Sequence, residues 1–253
     1  MNLRAVRAIY KFEMARTGRT LAQSIVSPVI STSLYFVVFG AAMGSRITEI
    51  EGVAYGMFIV PGLIMLMLLT QSVANASFGI YFPKFTGTIY ELLSAPISFY
   101  EIVIGYVGAA ATKSIILGLI ILATAGLFVE LHVAHPFLFV SITLLVASFS
   151  ACGGLALGCS VDQQHIGLMF SMVLTPMIFF GCTYYPWSAL AKFPILQKVV
   201  LINPLAYASE GLRATLVPQF PHLSLPLILV ALATFDVLLL VIGLRQFQKK
   251  AVT

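Results

Sequence analysis

The sequence predicts an all-α membrane protein with six transmembrane helices, and three observations carry that prediction. Six stretches are long, apolar and almost free of charge: Leu21 to Gly44, Val53 to Phe78, Ile102 to Leu127, Phe137 to Gly158, Ile166 to Tyr184 and His222 to Leu244. A hydrocarbon core of about 30 Å takes about 20 helical residues to cross, and each run is near or above that length. Of the 253 residues, 60% are apolar and only 9% are Asp, Glu, Lys or Arg, so almost nothing remains for a water-soluble domain. The alternation of a barrel strand is missing, and lipid offers the backbone no hydrogen bonds, which leaves helices as the way across.

The net charge of +5 comes from basic residues scattered around the ends of the runs. Without a dense patch they do not suit nucleic acid, and membrane orientation explains them better. With a cytoplasmic amino terminus the inside receives Arg4, Arg7, Lys11, Arg16, Arg19, Lys84, Arg245, Lys249 and Lys250, and the outside Arg46, Lys192, Lys198 and Arg213. Nine against four, with Lys113 inside a run, places both termini in the cytoplasm. The charged leader and the first apolar run are too long for a signal peptide, and Ala41-Ala42-Met43 is a poor cleavage site. Cys152 and Cys159 are separated by about 10 Å along one helix, too far to bridge, and Cys182 stands alone, so small apolar packing residues are expected at all three.

Residues 1–20 are expected to form an amphipathic interfacial elbow helix. Leu3, Val6, Tyr10 and Met14 recur at helical spacing with Arg4 and Lys11 on a flank. The remainder, residues 21–253, reads as one six-span domain. In its first cytoplasmic linker, Thr88 to Glu91 has the capping-box pattern, and Pro96 ends the short helix that should follow, over about 88–95. Ile89, Leu92 and Leu93 form the apolar stripe of that helix, and Ser98 to Glu101 repeats the cap ahead of the third span. A simple turn would join two antiparallel spans, so a capped helix suggests a surface for a soluble partner.

Between the fifth and sixth runs, residues of about 186–221 are neither a polar loop nor a full span. Tyr184, Tyr185 and Trp187 are aromatic anchors, Leu196 to Ile202 is too apolar for a solvated loop, and Asn203-Pro204 interrupts it. Glu210 and Arg213 then stand at i,i+3, where they can pair. A pair of short re-entrant helices in the outer leaflet satisfies these features.

These motifs are where a family resemblance lies. Asn203-Pro204-Leu205-Ala206-Tyr207 with Glu210 and Arg213, Phe179-Phe180-Gly181 with Tyr185-Pro186 before it, and Thr88 with Glu91 to Pro96 resemble the ABC-2 type membrane permeases, over essentially the whole chain. The resemblance is to bacterial multidrug, polysaccharide or lipid exporters whose permease and ATPase are separate polypeptides. It implies a homodimer in the bacterial inner membrane, two docked copies of an ABC ATPase subunit, and a coupling helix formed by Thr88, Ile89, Glu91, Leu92 and Leu93. ATP and Mg would belong to the partner, since this chain has no Gly-x-x-x-x-Gly-Lys-Ser/Thr loop and no cofactor site of its own.

Lys113 and Asp236 lie about 18 and 13 Å into the third and sixth runs, and opposite charges at such depth suggest an intramembrane ion pair. Met65, Asn75, Met172, Thr175 and Met177 are candidate conduit residues, because flexible thioethers accommodate varied apolar ligands. Pro28, Pro61 and Pro176 are expected to bend their helices. His132 and His135 are an incomplete metal set, and His165 beside Asp162 adds nothing to it. Neither His-Glu-x-x-His nor Gly-x-Ser-x-Gly occurs, so a non-catalytic subunit exporting an amphipathic drug, lipid or lipid-linked compound is expected. A polysaccharide exporter, or an intramembrane enzyme or immunity protein without an ATPase, is the alternative.

Overall fold

The computed structural model describes residues 2–19, 22–38, 49–131, 133–160 and 166–250. His132, Asp162 and His165 lie outside the described residues, as do parts of the first expected span. The described residues are all-α apart from one hairpin. Among them four helices are long and apolar enough to cross a membrane: α3 (Tyr55–Thr86), α5 (Phe99–Ala125), α6 (Pro136–Ser160) and α11 (Leu225–Lys250). A fifth crossing results if α1 (Leu3–Arg19) and the segment Ser24–Val38, which meet at 87°, count as one bent pair.

Prolines shape both weaker expected spans. The turn Ala22–Val26 has π geometry and runs directly into α2 (Ser27–Val38), whose second residue is Pro28. The fifth expected run repeats this: α7 (Ile166–Met169) opens into a π turn, Phe170–Leu174, just before α8 (Thr175–Phe179) and its Pro176. Proline has no N–H for the carbonyl one turn back and its ring crowds that carbonyl, so a widened turn upstream relieves the clash.

Before α3, β1 (Glu49–Ile50) and β2 (Val53–Ala54) pair antiparallel around Glu51-Gly52. Both turn residues have positive φ, 49° and 80°, as the right-handed twist of a two-residue hairpin demands.

Helix α3 is the centre of the bundle, buried against α5, α6 and α10 (Pro204–Leu216). Its contact with α6 is backbone to backbone. A Cβ at Gly154 would lie 2.5 Å from the Val73 carbonyl oxygen, and one at Gly158 would lie 2.7 Å from that of Ser77. The Ser77 hydroxyl donates to the Gly154 carbonyl at 2.6 Å, inside this small-residue seam.

Two main apolar clusters result among the described residues, beside a small third one of Cys182, Val200 and Ala206. The larger, around Phe58, Leu63, Leu68, Ile142 and Leu212, fills the half of the bundle near the hairpin. The smaller joins Ile9 of α1, Ile80 of α3, Ile89 of α4 (Ile89–Ser94), Ile102 of α5 and Phe247 of α11. Helix α1 runs lengthwise along the start of α5: Ile9 packs on Gly105, Tyr10 lies beside Gly108 and Glu13 meets Lys113. Its inward face is therefore Ile9 and Glu13, whereas Leu3 of the expected stripe is exposed.

Candidate functional site

The chain places its functional candidates at two ends of the bundle. At one end, Gly87 closes α3 with φ of 77°, and α4 follows as a six-residue helix. The expected capping box at Thr88 is not formed. Thr88 already has helical backbone angles, so its hydroxyl does not reach the free N–H groups and pairs instead with the Thr86 hydroxyl at 2.9 Å. The box does form at Ser98 and Glu101, where extended backbone at Ser98 turns its oxygen to the Glu101 N–H, and Glu101 accepts from the Ser98 N–H at 2.9 Å.

The apolar stripe of α4 faces the protein itself. Ile89 is 1% exposed in the smaller cluster, with Leu92 and Leu93 packed beside it. What remains outward is Tyr90, 60% exposed, with Glu91 and Ser94. Tyr90 is the residue that pattern reading missed, because only the packed structure shows which side of so short a helix is turned out.

At the other end the Asn203 motif stitches α8 to α10. A helix ends with carbonyls that have no partner within it, and here side chains supply them. Asn203 Nδ2 donates to the Met177 carbonyl at 2.6 Å, the Thr183 hydroxyl to that of Ile178 at 3.0 Å, and the Tyr185 hydroxyl to that of Phe179 at 2.8 Å. Asn203 Oδ1 accepts from the Leu205 N–H at 3.1 Å, and Pro204 takes the first helical position, where no N–H is needed. Tyr207, buried in the same helix, meets Phe235 of α11 with ring centroids 6.4 Å apart.

Glu210 and Arg213 pair at 2.5 Å, fully buried. Arg213 also donates to the Cys182 carbonyl at 3.0 Å and lies over the Phe58 ring at 4.6 Å, while Glu210 accepts from the Trp187 N–H at 3.2 Å. Cys182 adopts a positive φ of 52°, in the turn whose carbonyl meets Arg213. The segment from Gly181 through the 3-10 helix Trp187–Lys192 and α9 (Pro194–Val200) is thus tied to α10 by buried charge and by cap. Gly62 admits this turn, since a Cβ there would sit 2.1 Å from the Thr183 carbonyl oxygen.

The expected pair between Lys113 and Asp236 is not formed. Lys113 Nζ meets Glu13 Oε2 at 3.0 Å, and Arg16 shares that oxygen at 2.8 Å. Asp236 instead accepts from the Ser148 hydroxyl at 3.0 Å, between α6 and α11. Similar depth does not make neighbours: Lys113 points toward α1, an element with its own buried carboxylate. Glu13 was visible in the sequence as the residue four beyond Ile9 on one helical face.

The five conduit candidates do not share one surface in this chain. Met65 is buried in the core and Met172 is 72% exposed. Thr175 faces outward, Asn75 borders a cavity with Lys113, and Met177 lines an apolar cavity of about 240 Å³ with Val73, Phe149, Leu174 and Leu239. Residue type, the flexible thioether above all, grouped them in the sequence, but they lie on different faces of α3 and of the broken α7–α8 segment. Among the described residues no group of His, Cys, Asp or Glu is arranged to hold a metal.

Long apolar helices, a packed linker helix at one end and a cap-tied helical segment at the other define a polytopic membrane permease. The chain belongs to the ABC-2 type transporter family, whose model matches residues 4–217. It is 36% identical over 211 residues to the inner membrane transport permease YadH of Escherichia coli K12, covering 83% of this chain and 81% of that protein. Nodulation protein J of Neorhizobium galegae is 21% identical over 245 residues, 96% of this chain and 92% of the relative. Its counterpart in Rhizobium leguminosarum bv. viciae is 24% identical over 218 residues, 84% and 82%.

Proposed function

We propose that the chain is the membrane subunit of an ATP-driven exporter in the bacterial inner membrane, working as a homodimer with two copies of a separate ATPase. In this reading it has six spans, both termini are cytoplasmic, and residues of about 186–221 re-enter the outer leaflet. Its cargo is an amphipathic drug, a lipid or a lipid-linked compound.

The observation that carries the reading is the mounting of α4. Helix α3 has 32 residues and is about 48 Å long, so it overshoots a hydrocarbon core of about 30 Å. Helix α4 sits at its far end, wedged into the bundle by Ile89 and showing Tyr90, Glu91 and Ser94 outward. A surface helix keyed into the core by one buried side chain transmits force from a docked motor to α3 and α5. A helix resting on lipid gains nothing from that wedge.

The test is co-purification and substrate-stimulated ATP hydrolysis with a co-expressed ABC ATPase. Tyr90→Ala and Glu91→Ala are expected to lower both several-fold, whereas Lys192→Ala, at the opposite end, behaves as the parent protein. Full ATPase recovery and full coupling in both α4 variants would refute the assignment.

A further inference from the structure

Lys113, the α5 member of the charge cluster between α1 and α5, borders a cavity that the transport reading leaves unused. Its volume is about 150 Å³, and its lining includes Lys113, Gln71, Asn75, Thr17 and Ser24 among apolar neighbours such as Ile116. Two cations, Lys113 and Arg16, share a single oxygen of Glu13, and the other, Oε1, is buried without a partner among the described residues. The cluster thus carries a surplus positive charge, with the Lys113 side chain 4% exposed. A cation removed from water in this way favours an anion beside it. Lys113 has three N–H donors, of which one is used on Glu13, and the Asn75 amide, bonded to the Gln71 carbonyl at 2.8 Å, adds polar atoms at the wall.

Depth identifies the ligand class. Gln71 and Asn75 stand about 22 and 16 Å from the Thr86 end of α3, and Lys113 about 21 Å from the Phe99 end of α5. Helix α3 overshoots the hydrocarbon core by about 18 Å, and α1 and α4 gather around that end. Gln71 and Asn75 therefore fall near the boundary between inner-leaflet headgroups and acyl chains, and Lys113, at the middle of α5, lines the same cavity from deeper in the span.

We propose that this cavity binds an anionic phosphate headgroup, with Lys113 as its counter-charge and Gln71 and Asn75 as hydrogen-bonding partners. The proposal uses the orientation of the transport reading but no ATPase, so binding by the chain alone tests it separately.

The experiment reconstitutes the full chain, without ATPase, in phosphatidylcholine nanodiscs doped with phosphatidylglycerol, and measures lipid retained after delipidation by native mass spectrometry. A second arm offers glycerol phosphate to protein in pure phosphatidylcholine. The parent protein is expected to retain phosphatidylglycerol several-fold over phosphatidylcholine. Lys113→Met and the double variant Gln71→Leu with Asn75→Leu are expected to abolish that preference, the double variant with the ion pair intact. Glu13→Gln releases Lys113 and is expected to raise it, an opposite sign that a purely structural ion pair does not produce. A response to glycerol phosphate would assign the site to a soluble anion, and silence there with lipid retention assigns it to the membrane. No preference in the parent protein, or an unchanged preference in Lys113→Met and the double variant, overturns the proposal.

Discussion

Arg213 shows how much one buried side chain is asked to do. Its guanidinium meets a carboxylate, a carbonyl and an aromatic face, and only a planar fork serves all three at once. Breaking a buried pair by removing one partner leaves an uncompensated charge and costs about 3–5 kcal/mol. Glu210→Gln and Arg213→Lys are therefore predicted to lower the thermal midpoint of the purified protein in detergent markedly. Asp236→Asn keeps an acceptor for Ser148 and is predicted to shift it little. Equal midpoints for Glu210→Gln and the parent protein would show that the clasp does not hold the segment down. The sequence announced this pair by its i,i+3 spacing, because both charges sit on one helix. It did not announce Glu13 with Lys113, whose separation of 100 residues leaves no local pattern to read.

At the scale of elements, the α3–α6 seam depends on the absence of side chains. Gly154→Val would drive a Cβ into the Val73 backbone, and no rotamer relieves a clash with backbone. The helices must separate, so this variant is predicted to express poorly or to purify in an aggregated state by size-exclusion chromatography. Ser77→Ala removes one hydrogen bond and is predicted to cost only about 1 kcal/mol in thermal unfolding. Normal elution of Gly154→Val would mean that the seam is looser than its geometry. Element boundaries were legible where local chemistry sets them: Ser98 with Glu101, Asn203 with Pro204, and the prolines behind both π turns. The Thr88 cap was misread because the tight Gly87 turn, which depends on how α3 ends, places Thr88 in helical backbone before its hydroxyl can act.

For the whole molecule, the homodimer proposal makes an exposed prediction. Ile30 and Leu34 of α2 and Met172 of the π turn between α7 and α8 are apolar and turned away from the bundle. Lipid covers such faces as readily as protein does, since tails are as apolar as leucine. Leu34→Cys combined with Met172→Cys is predicted to give a disulfide-linked dimer in membranes under mild oxidation. Cysteines at Val230 and Val237 of α11, also exposed, are predicted to give none. Crosslinking by the α11 pair alone would move the interface to α11.

By itself the sequence determined the medium, the helical class, the family and the short helices in their order. Each follows from composition, length or a motif of a few neighbouring residues, and such information is local. Tertiary structure alone decided that Lys113 pairs with Glu13, that the α4 stripe faces inward and that the conduit methionines are scattered. Those outcomes depend on which helix lies beside which and how each is rotated about its axis. A bilayer rewards every apolar face alike, so hydrophobic pattern cannot choose among neighbours. Close backbone approach at glycine and the need of each buried charge for a partner make that choice.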